Sequence, residues 1–355
     1  MHVEDVVVVG GGPAGSGFAL AMARAEKKVV ILEKDCVPSP KVCGGVLSPR
    51  CLRAIEKIGL NDALKSVPSN TLDHLDVELA SGGSLRIPFP SNGRAALVVD
   101  RCALDAAFWL AAGNAGAELH EQTIATRIQR PTEGGWRVEA RNSSDLVFNA
   151  STLAAADGRN SFVARQLGLV AHGGGRSLCY QYRLKRHEFS LHGVHFFLFD
   201  GGYCGLSVDG TGLAHLDVIS LNGGERENAL RERLMRQRSS FVERLDRAEF
   251  CDERTVTRSP IGSGWRHAPE RGNVLLLGDA QFWVEPFTGE GISLALESAL
   301  AAAESLGSKH VRPRPSRTNR WVARAIGKPW LARIMVRLLQ RAPFVARWMA
   351  RDVLR

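Results

Sequence analysis

The stretch DVVVVGGGPAGSG, residues 5–17, carries the decision about the fold. Four consecutive valines favour a buried strand, and three glycines end it at once. Pro13 follows where a helix can begin, because the first helical turn does not need its missing N–H. Gly10, Gly12 and Gly15 fall in the G-x-G-x-x-G spacing between that strand and a helix rich in Ala, Leu and Met. The first glycine permits the tight turn, the second lets backbone approach a pyrophosphate, and the third lets helix and strand pack closely. Pro13, Ala14 and Gly15 open the helix, whose N-terminal N–H groups face a bound phosphate. A second strand, KKVVILEK at 27–34, ends in Glu33 and Lys34. A carboxylate there accepts hydrogen bonds from ribose hydroxyls and makes a 2′-phosphate, and so NADP, a poor resident. The unit is βαβ, and it binds a dinucleotide.

Two later segments decide which dinucleotide. STLAAADGRNSFVARQLG places Asp157-Gly158 after an apolar strand, with Ser161 and Arg165 opening a helix. NVLLLGDAQFWVEPFTGEGISLALES places Gly278-Asp279 after another strand. Pro286, Thr288, Gly289, Glu290, Gly291 and Ile292 then lead into a helix over 291–306. In each case a strand delivers a Gly/Asp turn to one edge. KVCGGVLSPR, residues 41–50, adds a glycine loop and a Ser48-Pro49 helix start.

In this order the motifs resemble those of FAD-dependent oxidoreductases with the p-hydroxybenzoate hydroxylase fold. KVCGG together with PFTGEGI is most similar to the geranylgeranyl reductase-like branch, and the resemblance runs over roughly residues 5–306. It implies noncovalent FAD. It implies that Asp279 hydrogen-bonds the ribityl or pyrophosphate part and that Gly289 to Gly291 bring N–H groups to the flavin pyrimidine edge. Arg101 matches an arginine near the FAD phosphates, its other reading being a solvent-exposed charge. Asp157 shapes a turn under the nucleotide. Gly44 and Gly45 are expected where backbone lies close to the flat ring. Cys43 is left with two roles, a wall residue beside the ring or a redox thiol with Cys51 two helical turns on. Two departures stand out. GDAQFWVEP lacks the histidine common in the aromatic hydroxylases, and GGYCGLSVDG at 201–210 stands where geranylgeranyl reductases often carry YxWxFPK. The resemblance therefore implies the cofactor and not a prenyl substrate.

The rest of the chain sets the frame. βαβ material at the start, near 100–160 and at 273–306 brackets strand-rich segments, with one helix expected over 225–247. The expected class is α/β: a Rossmann-like FAD-binding domain from 1–70, 96–175 and 263–307, with an inserted antiparallel β-sheet substrate domain at 71–95 and 176–262. Tyr203, Cys204, Phe282 and Trp283 are candidates to line the substrate cavity. Seven cysteines without a CxxC pair argue against a disulfide framework or zinc knuckle and for a reducing, cytoplasmic setting. His192 and His195 fall on opposite faces of an apparent strand, so no metal is expected. No secretory signal or membrane span is expected.

The net charge of +9 is uneven: residues 308–355 hold thirteen Lys or Arg against Asp352 alone. That tail reads as a basic amphipathic helix with three uses open: packing on the parent domain, docking an acidic partner such as a carrier protein, or lying peripherally on the inner membrane face. No recognition module points to nucleic acid. The reading is a flavoenzyme acting on a small or lipophilic substrate, free or carrier-bound, with NAD(P)H as a transient electron donor. Two reactions stay open, C=C reduction and monooxygenation with O2. A non-catalytic FAD-stabilised binding or maturation partner is the remaining alternative.

Overall fold

The computed structural model describes residues 3–89, 95–173, 177–222, 224–251, 257–260, 262–267 and 273–307. The tail expected over 308–355 lies outside the described residues.

The first sheet runs in the order Glu118–His120, Val29–Leu32, Val3–Val9, Asp145–Ala155, Trp136–Arg141, Ile124–Gln129, with Val274–Leu276 also paired to Asp145–Ala155. The strands at 3–9, 29–32, 118–120, 145–155 and 274–276 are parallel, and the two at 124–141 are antiparallel. The valine run has a structural reason. Val6 and Val8 pack into the core beneath the helices Pro13–Arg24, Arg101–Asn114 and Gly291–Gly307, whereas Val7 and Val9 enter a second core on the opposite face. A strand covered on both faces cannot alternate polar and apolar residues.

The second sheet has the order Glu249–Phe250, Leu178–Arg186, Ala214–Ser220, Gly202–Val208, Gly193–Phe199, His74–Leu79, Ser84–Pro88. It is antiparallel except where Gly193–Phe199 pairs in parallel with His74–Leu79, a join between distant segments that local periodicity does not announce. The single helix expected over 225–247 is two, Glu227–Met235 and Ser240–Asp246. Ser239 is extended and its hydroxyl accepts from the Val242 N–H at 3.1 Å, which starts a new helix. Both helices cover one face of the sheet over Tyr180, Leu206, Val218 and Phe197. The opposite face meets the loop of residues 43–45. Among the described residues no helix is long and apolar enough to cross a membrane.

Candidate cofactor site

The glycine turn separates what the protein needs from what a ligand needs. A Cβ on Gly10 would lie 2.4 Å from the Ala156 carbonyl oxygen, one on Gly15 1.9 Å from the Gly10 oxygen, and one on Gly11 2.4 Å from the Trp109 ring. A Cβ on Gly12 would meet nothing within 4 Å. Gly12 is the N-cap of helix Pro13–Arg24 with an ordinary φ of −72°, so no part of the described protein demands glycine there. The space it keeps open lies at a helix N-terminus, where N–H groups without helical partners attract a phosphate. Glu33 is buried and holds the turn: Oε2 accepts from the Gly11 N–H at 2.7 Å and Oε1 from the Asp35 N–H at 3.1 Å. Each oxygen retains acceptor capacity for a ribose hydroxyl. Lys34 does not join the site; its ammonium is mostly exposed and pairs with Asp35 at 2.9 Å.

Two turns close the edge of the first sheet. Asp157 accepts from the Val163 N–H at 3.0 Å and Ser161 caps the same helix through the Ala164 N–H at 3.0 Å, so Asp157 shapes its own turn. Burial pushes its carboxyl above the usual range. Gly278–Ala280 forms a 3-10 turn in which Gly278 lies against Ala14 and Ala295 and donates its N–H to Ser298 Oγ at 2.8 Å. The Asp279 side chain stays 39% exposed. Burial raises its pKa, opposed by Arg159 at 3.6 Å and by the charges of Arg101 and Arg266.

Arg101 is not a solvent-exposed charge. Asp100 caps its helix, and Arg101 grips Asp105 with two hydrogen bonds of 3.0 Å. Burial alone would lower its pKa; Asp105, with the Cys43 thiol beside it, raises it instead. At the other rim, Pro286–Thr288 forms a short turn, Gly289 adopts a left-handed conformation (φ 65°), and helix Gly291–Gly307 begins. A Cβ on Gly291 meets nothing within 4 Å either. Ile292 is core. The Glu290 carboxylate turns to Arg50 at 3.7 Å, and Arg50 in turn holds Glu297 at 2.6 and 2.5 Å. The backbone of 289–291, not the Glu290 side chain, is what this rim offers.

The loop at 41–48 lies between these elements and the second sheet, and here several expectations change. Gly45 needs its glycine because a Cβ would lie 2.0 Å from the Val99 oxygen, and a Cβ on Gly44 would be 3.3 Å from Asp217 Oδ2 and Ser207 Oγ. The packing of strand and sheet, rather than a flat ring, fills the side of each glycine that a Cβ would occupy. Cys43 Sγ accepts from the Gly45 N–H at 3.4 Å. Burial pushes the Cys51 thiol up to about 12, so it is a core group and a poor redox partner for Cys43. Tyr203 and Cys204 are 2% and 0% exposed and point to opposite faces of their strand, Cys204 into the core under the helices, so the two cannot line one cavity. Phe282 and Trp283 are buried too: Phe282 packs with Val284 and Leu294, and Trp283 lies under the Arg266 guanidinium. His192 contacts the Thr71 oxygen at 2.9 Å, while His195 is buried beside Asp76 at 3.3 Å. Asp100, Asp209 and His215 approach within 4.8 Å. They are engaged already, Asp209 by His215 and Thr211 and Asp100 by Ala103 and Arg183.

Gln181, Ser207, Asp217, Asp105 and Arg159 were not singled out from the sequence. The alternation of polar and apolar residues in LCYQYRLKR and AHLDVIS carried a trace of the first and third.

The open space at Gly12, the carboxylate of Glu33, the recessed Asp279 and the unencumbered helix start at Gly291 together fit FAD. The FAD binding domain family matches residues 4–311. Relatives include conditioned medium factor receptor 1 of Dictyostelium discoideum, 27% identical over 330 residues, 86% of this chain and 63% of that one. Menaquinone reductase of Mycobacterium tuberculosis is 29% identical over 86% of this chain and 77% of its own. Digeranylgeranylglycerophospholipid reductase 2 of Methanosphaera stadtmanae is 28% identical over 85% and 77%. The chain thus spans less than two thirds of the first relative and about three quarters of the reductases. The crystal structure of p-nitrophenol 4-monooxygenase PnpA from Pseudomonas putida DLL-E4 superposes with a TM-score of 0.80 at 20% identity, covering 99% of this chain and 98% of that one, which shows the fold. The chain belongs to the FAD binding domain family, with relatives in the geranylgeranyl reductase-like branch, as the order of its motifs implies.

Proposed function

We propose that this protein is an FAD-dependent oxidoreductase that reduces a carbon–carbon double bond in a largely apolar substrate. The observation that carries the reading is the pair of glycines, Gly12 and Gly291, each at the start of a helix and each facing space that no described part of the protein fills. One suits a diphosphate, the other the electron-rich end of a reduced ring. FAD, when bound, supplies the hydride. Glu33 orients the ribose, Asp279 the chain between ribose and ring, and the N–H groups opening Gly291–Gly307 stabilise negative charge. The apolar side of the second sheet, with Leu79, Leu198, Tyr203 and the half-buried Phe196, supports a lipophilic substrate. The reductase relatives named for menaquinone and a digeranylgeranyl lipid agree with that chemistry. NAD(P)H is the proposed transient donor.

The test begins with saturating FAD. Near-stoichiometric flavin absorbance after desalting is expected, and its absence defeats the reading. The reduced, anaerobic holoprotein is then mixed with a geranylgeranyl lipid, or with menaquinone whose ring is reoxidised before analysis, and mass spectrometry should show the polyprenyl chain gaining two hydrogens. If product forms only in a parallel reaction opened to air, and carries an oxygen atom from O2, a hydroxylase replaces the reductase. Bound FAD with turnover of neither kind would favour a binding partner.

A further inference from the structure

Asp217 is a carboxylic acid at the seam between the first sheet's loops and the second sheet, and the cofactor site described above makes no use of it. Its neighbours come from several elements. Oδ1 accepts from Gln181 Nε2 at 2.8 Å and lies 3.8 Å from Cys179 Sγ. Oδ2 is directed at Gly44, 3.3 Å from where a Cβ would stand. The same Gln181 amide donates to the Cys43 carbonyl at 2.9 Å, and Ser207 Oγ donates to the Gly44 carbonyl at 2.6 Å. Two strands of the second sheet thus hold the loop by its carbonyls, with Asp217 on the strand between them. On its other side the same segment reaches the cofactor rim: Val46 Cγ1 lies 4.0 Å from where a Cβ on Gly289 would stand, and Ser48 Oγ lies 3.3 Å from Ser293 Oγ.

The charges around Asp217 leave it without a counter-ion. No ion pair to it is found among the described residues. His215, on its own strand, is held by Asp209 at 2.8 Å. Arg183, on the neighbouring strand, is turned to Asp100 at 3.7 Å and to Cys102. Burial pushes the thiols of Cys179 and Cys204 well above their usual range, which keeps them neutral. Burial likewise pushes Asp217 up to about 6, against the Gln181 hydrogen bond and the nearby His215. Its charge therefore appears between mildly acidic and neutral pH.

We propose that Asp217 adds a carboxylate-linked step to the pH dependence that flavin reduction already has: protonated it adds no charge to the seam, and ionised it disfavours the electron-rich reduced cofactor. The inference rests on the FAD reading above. Two-electron reduction takes electrons from the donor and protons from solvent, and Asp217 takes up a proton alongside wherever reduction raises its affinity for one.

The experiment is spectroelectrochemistry of the FAD-loaded full chain from pH 5 to 8, comparing wild type with Asp217→Asn. At pH 8 and a fixed applied potential, the ratio of reduced to oxidised FAD is expected to be about tenfold higher in the variant, the order of magnitude of one added charge felt at an effective dielectric near 20. At pH 5 the two should agree within about twofold. Superimposable profiles would overturn the proposal while leaving the FAD reading intact. A wild-type chain that takes up no FAD overturns both. Should Asp217→Asn fail to bind FAD, Gln181→Met removes the hydrogen bond that favours the carboxylate and is expected to move the break in the profile to higher pH. An unmoved break there counts against the proposal equally.

Discussion

A glycine motif reads as one device, yet its members answer to different partners. Gly10 and Gly15 are imposed by backbone oxygens at 2.4 and 1.9 Å from a would-be Cβ, and Gly12 by nothing in the described protein. Gly15→Ala should therefore destabilise the fold by about 3 kcal/mol or more, because the obstacle is backbone that cannot swing aside. Gly12→Ala should leave the denaturation midpoint nearly unchanged and weaken FAD binding by about tenfold or more, since a methyl group crowds the diphosphate against the helix N-terminus. Urea titration and FAD fluorescence quenching on the two variants check this; a Gly12→Ala chain that binds FAD as wild type does would remove the diphosphate from this turn. The spacing alone anticipated the crowding at Gly10 and Gly15, because each concerns a few bonds of local chain. It was silent on Gln181, Ser207 and Asp217, whose meaning depends on a loop some 140 to 170 residues away in sequence.

Helix ends were legible because capping is local. Ser48 accepts from the Cys51 N–H at 3.2 Å, and Pro49 takes the first helical position, as the Ser48-Pro49 pair suggests. What the helix Pro49–Ile58 does once formed was not legible. Arg50 reaches across to Glu297 of Gly291–Gly307 and Ser48 to Ser293, so this helix fixes the one whose N-terminus is proposed to meet the flavin. A double-mutant cycle of Arg50→Ala and Glu297→Ala should show a coupling of about 1 kcal/mol, at the upper end for a pair that is partly exposed but bidentate. Additive effects would make the bridge incidental. The helix expected over 225–247 shows the converse: its apolar period runs through, but the Ser239 cap interrupts it.

At the level of the molecule, cofactor and protein are expected to stabilise each other. FAD at about 100 times its Kd should add about 2.7 kcal/mol of apparent stability, seen as a rise in the thermal midpoint that Gly12→Ala largely abolishes. NADP at the same concentration should leave the midpoint where it is, because a buried carboxylate such as Glu33 at the end of the second strand repels a 2′-phosphate. An FAD-independent midpoint would count against the whole assignment. The βαβ start, the glycine spacing, the DG and GD turns and the family could be read from residues 5–306 because each signal is short-range, with strand periodicity, caps and turn chemistry acting over a few residues. Folding alone settled which strand faces meet which loops. Tyr203 and Cys204 are neighbours in sequence and lie on opposite faces, one turned towards Val42, the other buried under two helices. The parallel pairing of Gly193–Phe199 with His74–Leu79, and the approach of Asp217 to Gly44, come from register and crossing geometry between segments more than a hundred residues apart, which no local pattern encodes.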